Sequence, residues 1–259
     1  MIICRSESEI ERMRTANQLV ASVLGALEAA VAPGVTTEDL DRLAERLVRE
    51  GGAEPAFKGY RGYPATLCAS INDEVVHGIP SARRALEAGD IISLDIGVKV
   101  GGFYGDSAVT VPVGPVPEAT AKLLRVTRES LERAIEKVQV GGRLSDLGHA
   151  VQQWVESNGF SVVREFVGHG IGERLHEEPQ IPNYGEPGRG PKLAPGMVLA
   201  IEPMVAMGKP ETKVLRDGWT AVTRDGSLAA HFEHTVAVTA AGPLVLTARG
   251  GRPAASVHA

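Results

Sequence analysis

The sequence predicts an α/β chain of the α+β kind, built as two similar α-β halves whose strands form one sheet with helices packed on one side. Two observations predict this. The segment Gly89-Asp90-Ile91-Ile92-Ser93-Leu94-Asp95 recurs as Gly196-Met197-Val198-Leu199-Ala200-Ile201-Glu202, which sets Asp95 and Glu202 107 positions apart. The same offset relates Val31–Gly52 to Val138–Gly159, matching Gly34 with Gly141, Asp39 with Asp146, Leu40 with Leu147, Leu47 with Trp154 and Gly52 with Gly159. Any two amphipathic helix pairs share a few such matches. One offset that relates both helices and acidic strands points to an internal duplication, with halves at about 6–115 and 116–248.

The elements follow in order. Ser6 and Glu9 form a potential capping box, after which Ile10, Met13, Val20, Leu24, Leu27 and Val31 recur at helical spacing until Pro33-Gly34. A second helix runs from Thr36 or Thr37 through Leu40, Leu43, Leu47 and Val48 to Gly51-Gly52. Two apolar strands come next, Ile91 to Val98 and Tyr104 to Val111, as a hairpin. A long helix from Glu118 to Val138 and a shorter one to Gly159 repeat the helical pair. The second half then offers strands at Gly196–Glu202 and Phe232–Val238, separated from the helices by a Pro- and Gly-rich loop, Pro179 to Pro195. Residues 1–248 read as a single catalytic unit, and 249–259 as a flexible tail.

The 259 residues are 43% hydrophobic and 23% charged, the balance of an ordinary globular chain. A net charge of -5 and a pI near 5.8 argue against a nucleic-acid or anionic-membrane surface as the main partner. No stretch approaches the roughly 20 apolar residues of a membrane span, and the N-terminus lacks a signal-peptide core. Cys4 and Cys68 have no metal-pair spacing. A cytoplasmic location is the expectation.

Asp95, Asp106, Glu202 and Glu233 each interrupt an apolar strand, and an unpaired buried carboxylate is costly. If the hairpin turns symmetrically about Val100-Gly101, Asp95 and Asp106 stand directly opposite each other on one face. Ile92, Leu94, Ile96 and Val98 then fill the other face. His169, flanked by Gly168 and Gly170, is a fifth candidate. Four carboxylates and one imidazole suit Mn²⁺, Fe²⁺, Co²⁺ or Zn²⁺. The charge calls for two divalent ions, which can polarise a carbonyl and acidify a shared water.

These residues resemble the methionine aminopeptidases of the pita-bread fold, in their short type I form, over nearly the whole chain from Ile10 to about Thr247. The motifs are Asn72-Asp73-Glu74-Val75-Val76-His77-Gly78-Ile79-Pro80, Asp95, Asp106, Gly168-His169-Gly170-Ile171-Gly172, His176-Glu177-Glu178-Pro179, Glu202-Pro203 and Glu233-His234-Thr235. The resemblance implies one curved antiparallel sheet flanked by helices and a dinuclear site held by Asp95, Asp106, His169, Glu202 and Glu233. By family analogy, Asp106 and Glu233 bridge both ions, Asp95 holds one, and His169 with Glu202 holds the other. On the bare sequence His77 reads as a turn histidine and His176 as a satisfied loop histidine. The resemblance instead implies that both contact the substrate and stabilise the transition state; by charge, Glu202 serves as the proton shuttle or chiefly as a ligand that tunes the ion. It also implies a methionine pocket of Phe57, Tyr60, Tyr63, Cys68, Leu175 and Trp219. Phe57 stands where a smaller residue is common, and Leu175 where an aromatic is usual.

The implied activity is metal-dependent removal of the N-terminal methionine from nascent polypeptides, with a small second residue preferred. The implied protein is a monomer, with transient ribosome association as a possible partnership and no nucleic-acid specificity or membrane contact. An aminopeptidase P or prolidase-like enzyme shares the five ligands but carries an additional N-terminal domain, for which the repeat beginning near Ile10 leaves no room. Type II methionine enzymes insert a subdomain where only 30 residues separate Glu202 from Glu233. A pita-bread protein serving only as a binding module would be expected to lack ligands, and none is missing.

Overall fold

The structure is a computed structural model and describes residues 1–249; the expected tail lies outside the described residues except for Arg249. Helix α1 (Glu7–Ala30) starts at the predicted box, with the Glu9 carboxylate accepting from Ser6 N–H at 2.8 Å. Helix α2 (Thr37–Glu50) starts at a second box, in which Asp39 accepts from Thr36 N–H at 3.1 Å. Helices α3 (Glu118–Glu136) and α4 (Leu144–Ser157) complete the set among the described residues. At the start of α4, Asp146 accepts from Arg143 N–H at 3.0 Å, which repeats the Asp39 bond 107 positions on. The offset recurs in the isolated bridges Thr36 to Ala85 and Arg143 to Lys192. It recurs again in the bonds Gly34 N–H to Leu86 C=O and Gly141 N–H to Leu193 C=O, both 2.8 Å. The predicted pseudo-repeat thus corresponds to equal hydrogen bonds at equal positions.

The first half contributes β1 (Glu54–Pro55), β2 (Leu67–Ile71), β3 (Glu74–Val76), β4 (Ile91–Val100) and β5 (Phe103–Pro112). The second contributes β6 (Ser161–Val162), β7 (Gly168–Gly170), β8 (Glu177–Ile181), β9 (Val198–Ile201), β10 (Met204–Ala206), β11 (Thr212–Val214), β12 (Ala221–Thr223), β13 (Ala229–His231), β14 (His234–Thr239) and β15 (Gly242–Val245). Strand β4 pairs with β5 along one edge and with β2 and β1 along the other. A second ladder runs β15-β14-β9-β7-β8, and two three-stranded ladders, β13-β10-β6 and β11-β12-β3, flank them. All pairings are antiparallel. The expected loop from Pro179 begins later, because β8 extends to Ile181. As the edge strand of its ladder, β8 tolerates a proline that cannot donate.

Two sequence expectations need correction. The hairpin turns on Gly101-Gly102, both at positive φ (57° and 87°), and Val100 pairs with Phe103. Two-residue hairpin loops favour that glycine pair because their twist requires positive φ. Asp95 therefore faces Ala108, and Asp106 faces Gly97; the two acids share a face but stand diagonally, two residues out of the expected register. The second correction concerns Phe232–Val238, which is not one strand. Strand β9 ends at Ile201 and β10 begins at Met204, while β13 ends at His231 and β14 begins at His234. Glu202 and Glu233 thus lie where each chain leaves one ladder and joins another. Pro203 has no N–H to offer, and the Glu233 N–H crosses to the Ala108 carbonyl at 2.9 Å.

That crossing stitches the halves together. Ser107 Oγ donates to Glu233 C=O at 2.5 Å, and Thr235 Oγ1 donates to Asp106 C=O at 2.7 Å. Behind the acids, Ile92, Leu94, Ile96 and Val98 of β4 pack in one buried cluster with residues of all four helices, among them Val20, Leu40, Leu123 and Val151. Gly105 lets α1 approach β5, since a Cβ there would lie 2.9 Å from the backbone of both Ala16 and Asn17. Overpacking against helix backbone that cannot swing aside destabilises. Gly105→Ala is expected to lower stability by about 1–3 kcal/mol, seen as a lower denaturation midpoint at constant m-value. No described helix is long and apolar enough to cross a membrane.

Candidate metal centre

The acidic face of β4 and β5 and the two strand breaks form the floor of a cavity of about 170 Å³. Its lining contains every residue picked out from the sequence: Asp95, Asp106, His169, Glu202 and Glu233 at the floor, His77 and His176, and the expected pocket residues Phe57, Tyr60, Tyr63, Cys68, Leu175 and Trp219. Arg61, which the sequence reading did not single out, joins them.

The floor is buried: Asp106 is 4% exposed and Glu233 2%. Ligand atoms of Asp106, His169 and Glu233 all lie within 4.8 Å of one another. His169 sits on β7 between glycines. A Cβ at Gly168 would run into the Ala200 carbonyl, and one at Gly170 into the Glu178 carbonyl, so only glycine admits the tight ladder that presents the ring. Its Nδ1 lies 2.9 Å from the Gly170 carbonyl. A carbonyl only accepts, so Nδ1 carries the proton and Nε2 turns its lone pair toward Glu202 Oε1, 3.6 Å away.

Burial, reinforced by Asp106 and Glu202, pushes the Asp95 carboxyl well above the usual range, and burial with Asp106 does the same to Glu202. Glu233 rises for the same reasons, burial first and then its acidic neighbours. Asp106 rises to about 7, chiefly through burial. Burial drops His169 to about 3. Asp95 Oδ1, Asp106 Oδ1 and Glu233 Oε1 are buried without a hydrogen-bond partner. Unpaired carboxylate oxygens around a neutral imidazole are what divalent cations need, and they are costly without them. The residues fit a metal site.

The walls are set by local packing. His77 sits at φ 61°, left-handed, directly after β3. Its neighbour Gly78 is held by Ser70 Oγ on its N–H at 3.0 Å and by Tyr63 O–H on its carbonyl at 2.9 Å. The His77 ring meets Phe166 and Trp219 edge-on at 5.6 and 6.2 Å, and burial lowers its pKa to about 4. His176 lies with its ring centroid 4.3 Å from that of His169, and its Nδ1 is 2.8 Å from Tyr60 Oη. The loop carrying it is anchored by Glu177, which binds the buried Arg5 guanidinium at 2.7 and 2.9 Å. Phe57 packs over Gly97, where a Cβ would meet its ring at 2.7 Å, so the glycine opposite Asp106 makes room for the larger residue at 57. Cys68 lies beside Asp95 on β2 and is not disulfide-bonded to Cys4. Arg61 stacks over Tyr60 at 5.4 Å; its sequence signal is a basic residue between Gly59 and Gly62.

A buried cluster of carboxylates and an imidazole on a strand-lined floor defines a metallopeptidase-like hydrolytic site. The model of metallopeptidase family M24 matches residues 11–240. A methionine aminopeptidase of Clostridium acetobutylicum is 55% identical over 95% of this chain and 99% of its own length. The crystal structure of methionine aminopeptidase from Thermotoga maritima superposes with a TM-score of 0.94 at 49% identity, covering 95% of this chain and 99% of that one. The prolidase of Pyrococcus horikoshii, at 24% identity and TM-score 0.76, covers 96% of this chain and 65% of its own, and shares the fold. The chain belongs to metallopeptidase family M24. It is a hydrolase of the pita-bread fold that uses divalent metal, and its high-identity relatives are methionine aminopeptidases rather than prolidases.

Proposed function

We propose that the protein removes the N-terminal methionine from nascent polypeptides, working on chains with a small second residue. The observation that carries this reading is the cavity itself, with five ligand residues at its floor and an apolar wall above. At about 170 Å³ it is smaller than the roughly 300–1,000 Å³ of drug-sized sites, which suits one side chain and its amine. Phe57, Tyr60, Tyr63 and Trp219 offer ring edges and faces to a flexible thioether, a favourable pairing for methionine sulfur. His77 with Phe166 and Trp219 stands beside the carboxylates and narrows the space for the next residue. The same reading makes residues 1–248 one catalytic unit, acting as a monomer in the cytoplasm with transient ribosome contact.

Asp95, Asp106, His169, Glu202 and Glu233 would hold two divalent cations, of Co²⁺, Mn²⁺, Fe²⁺ or Zn²⁺ type, whose charge offsets four carboxylates. When bound, such cations acidify a water and polarise the scissile carbonyl. Glu202 takes a proton from the attacking water and passes it to the leaving amine nitrogen. His77 and His176 are neutral at pH 7, because burial lowers both, and so donate hydrogen bonds without repelling the centre. In the tautomer where the Tyr60 O–H donates to His176 Nδ1, the Nε2–H is left to meet the developing oxyanion. Tyr60→Phe is therefore expected to lower kcat about tenfold with little change in KM, in steady-state assays.

The test compares release of methionine from Met-Ala-Ser with cleavage of an Xaa-Pro peptide. Methionine release that chelator abolishes and added metal restores is expected. Proline-directed cleavage, or inactivity with every metal, would overturn the reading.

A further inference from the structure

One buried group has no part in the chemistry above. His231, the last residue of β13, is 1% exposed, and neither ring nitrogen has a hydrogen-bond partner. Its backbone is fixed on both sides by one hydroxyl. The N–H donates to Thr110 Oγ1 at 2.8 Å, and the C=O accepts from the same oxygen at 2.8 Å. Since the Thr110 proton is used there, the 2.7 Å contact with Ser93 Oγ has Ser93 as donor. This chain fixes the backbone from which the ring projects.

The ring's Nε2 lies 3.6 Å from Glu202 Oε2, while His169 Nε2 lies 3.6 Å from Glu202 Oε1. One carboxylate thus stands between two imidazoles that are not equivalent. His169 turns a lone pair to it, because its proton sits on Nδ1 facing the Gly170 carbonyl. Two electron-rich atoms face each other on that side, leaving a gap for a cation. On the other side an N–H is the stable choice, since a lone pair there would face another carboxylate oxygen. Below Glu202, Asn183 Nδ2 donates to its carbonyl at 2.9 Å and fixes the backbone from which the side chain swings.

We propose that His231 is a positioning residue: its Nε2–H holds Glu202 Oε2, so that Oε1 alone is presented to the cation beside His169. This rests on Glu202 being a cation ligand. At 3.6 Å the contact is longer than a hydrogen bond, which forms when the carboxylate and the ring approach to about 2.9 Å. Groups that orient metal ligands commonly contribute about 10–100-fold in affinity or activity.

The test uses the full chain with His231→Leu and His231→Gln. Leucine fills the space and removes a buried, unpaired polar ring, so the metal-free His231→Leu protein should melt no lower than wild type. Its affinity for Mn²⁺, titrated calorimetrically into metal-free protein, should fall about 10–100-fold, and kcat for Met-Ala-Ser should fall with KM little changed. Glutamine restores a donor of similar reach and should bring affinity and kcat to within a few fold of wild type. His231→Leu with wild-type Mn²⁺ affinity and kcat would overturn the role of His231 alone. A lower metal-free melting temperature with no rescue by glutamine would overturn it too, in favour of packing. Wild-type protein that binds no Mn²⁺ would overturn the ligand reading and this proposal with it.

Discussion

Asp106→Asn is expected to lose at least about 10³-fold in kcat/KM for Met-Ala-Ser, about 4 kcal/mol of transition-state stabilisation at 1.4 kcal/mol per factor of ten. Asp106 is 4% exposed, and it shares a set of ligand atoms within 4.8 Å with His169 and Glu233. An amide at this position keeps the shape and removes the charge. The same change should leave the metal-free protein as stable as wild type or more so, since it ends the crowding of Asp106 against Asp95, Glu202 and Glu233. Kinetics and melting of one variant thus move in opposite directions. Loss of less than tenfold in kcat/KM with full cation uptake would exclude Asp106 as a ligand.

The second large effect is on stability without metal. Four buried carboxyls have raised pKa values, Asp106 reaching about 7 and the others pushed well above the usual range by burial and by one another. Five histidines, His77, His169, His176, His231 and His234, are lowered by burial. The two sets oppose each other below about pH 6.5. There the unfolded histidines take up protons that the native ones refuse, while the native acids keep protons that the unfolded ones release. Above about pH 7.5 the histidines are neutral in both states and only the acids count. The native state then binds more protons than the unfolded one, so stability falls as pH rises. Each proton retained across one pH unit costs about 1.4 kcal/mol, so chelated protein should lose stability relative to Mn²⁺-saturated protein between pH 6.5 and 8, the Asp106 share ending near pH 7. Protein saturated with Mn²⁺ should show no such fall. Melting curves with chelator and with Mn²⁺ over that range would decide it, and parallel curves would contradict the paired-cation reading.

Much of the site is legible in the sequence because each acid breaks an apolar strand, which is the signal that burial chemistry leaves. The offset shared by Asp39 and Asp146 predicted a repeat, and both residues do accept the same N-cap bond. The register of the hairpin was misjudged by two residues. Centring the turn on the symmetry of two acids put it one place too early, whereas Gly101-Gly102 itself marks the centre through its backbone freedom. Strand breaks at Glu202 and Glu233 are tertiary facts: a local apolar pattern cannot show that a chain changes partners midway. Pro179 suggested a loop where an edge strand runs. His77 and His176 carry no local mark of function, since a left-handed turn and a stacked rim ring come from packing with Phe166, Trp219 and Tyr60. His231 escaped notice because an isolated buried histidine in an apolar strand looks like any other core residue.

The reciprocal bonds between Ser107 and the Glu233 carbonyl, and between Thr235 and the Asp106 carbonyl, add two hydroxyl links to the backbone bond from Glu233 N–H to Ala108 C=O. The frame that spaces Asp106 and Glu233 is therefore held by hydrogen bonds of the chain itself. Small metallo-domains that are unfolded without their ion use metal binding to fold. Here protein hydrogen bonds set the spacing, which leaves size and donor preference to choose the ion.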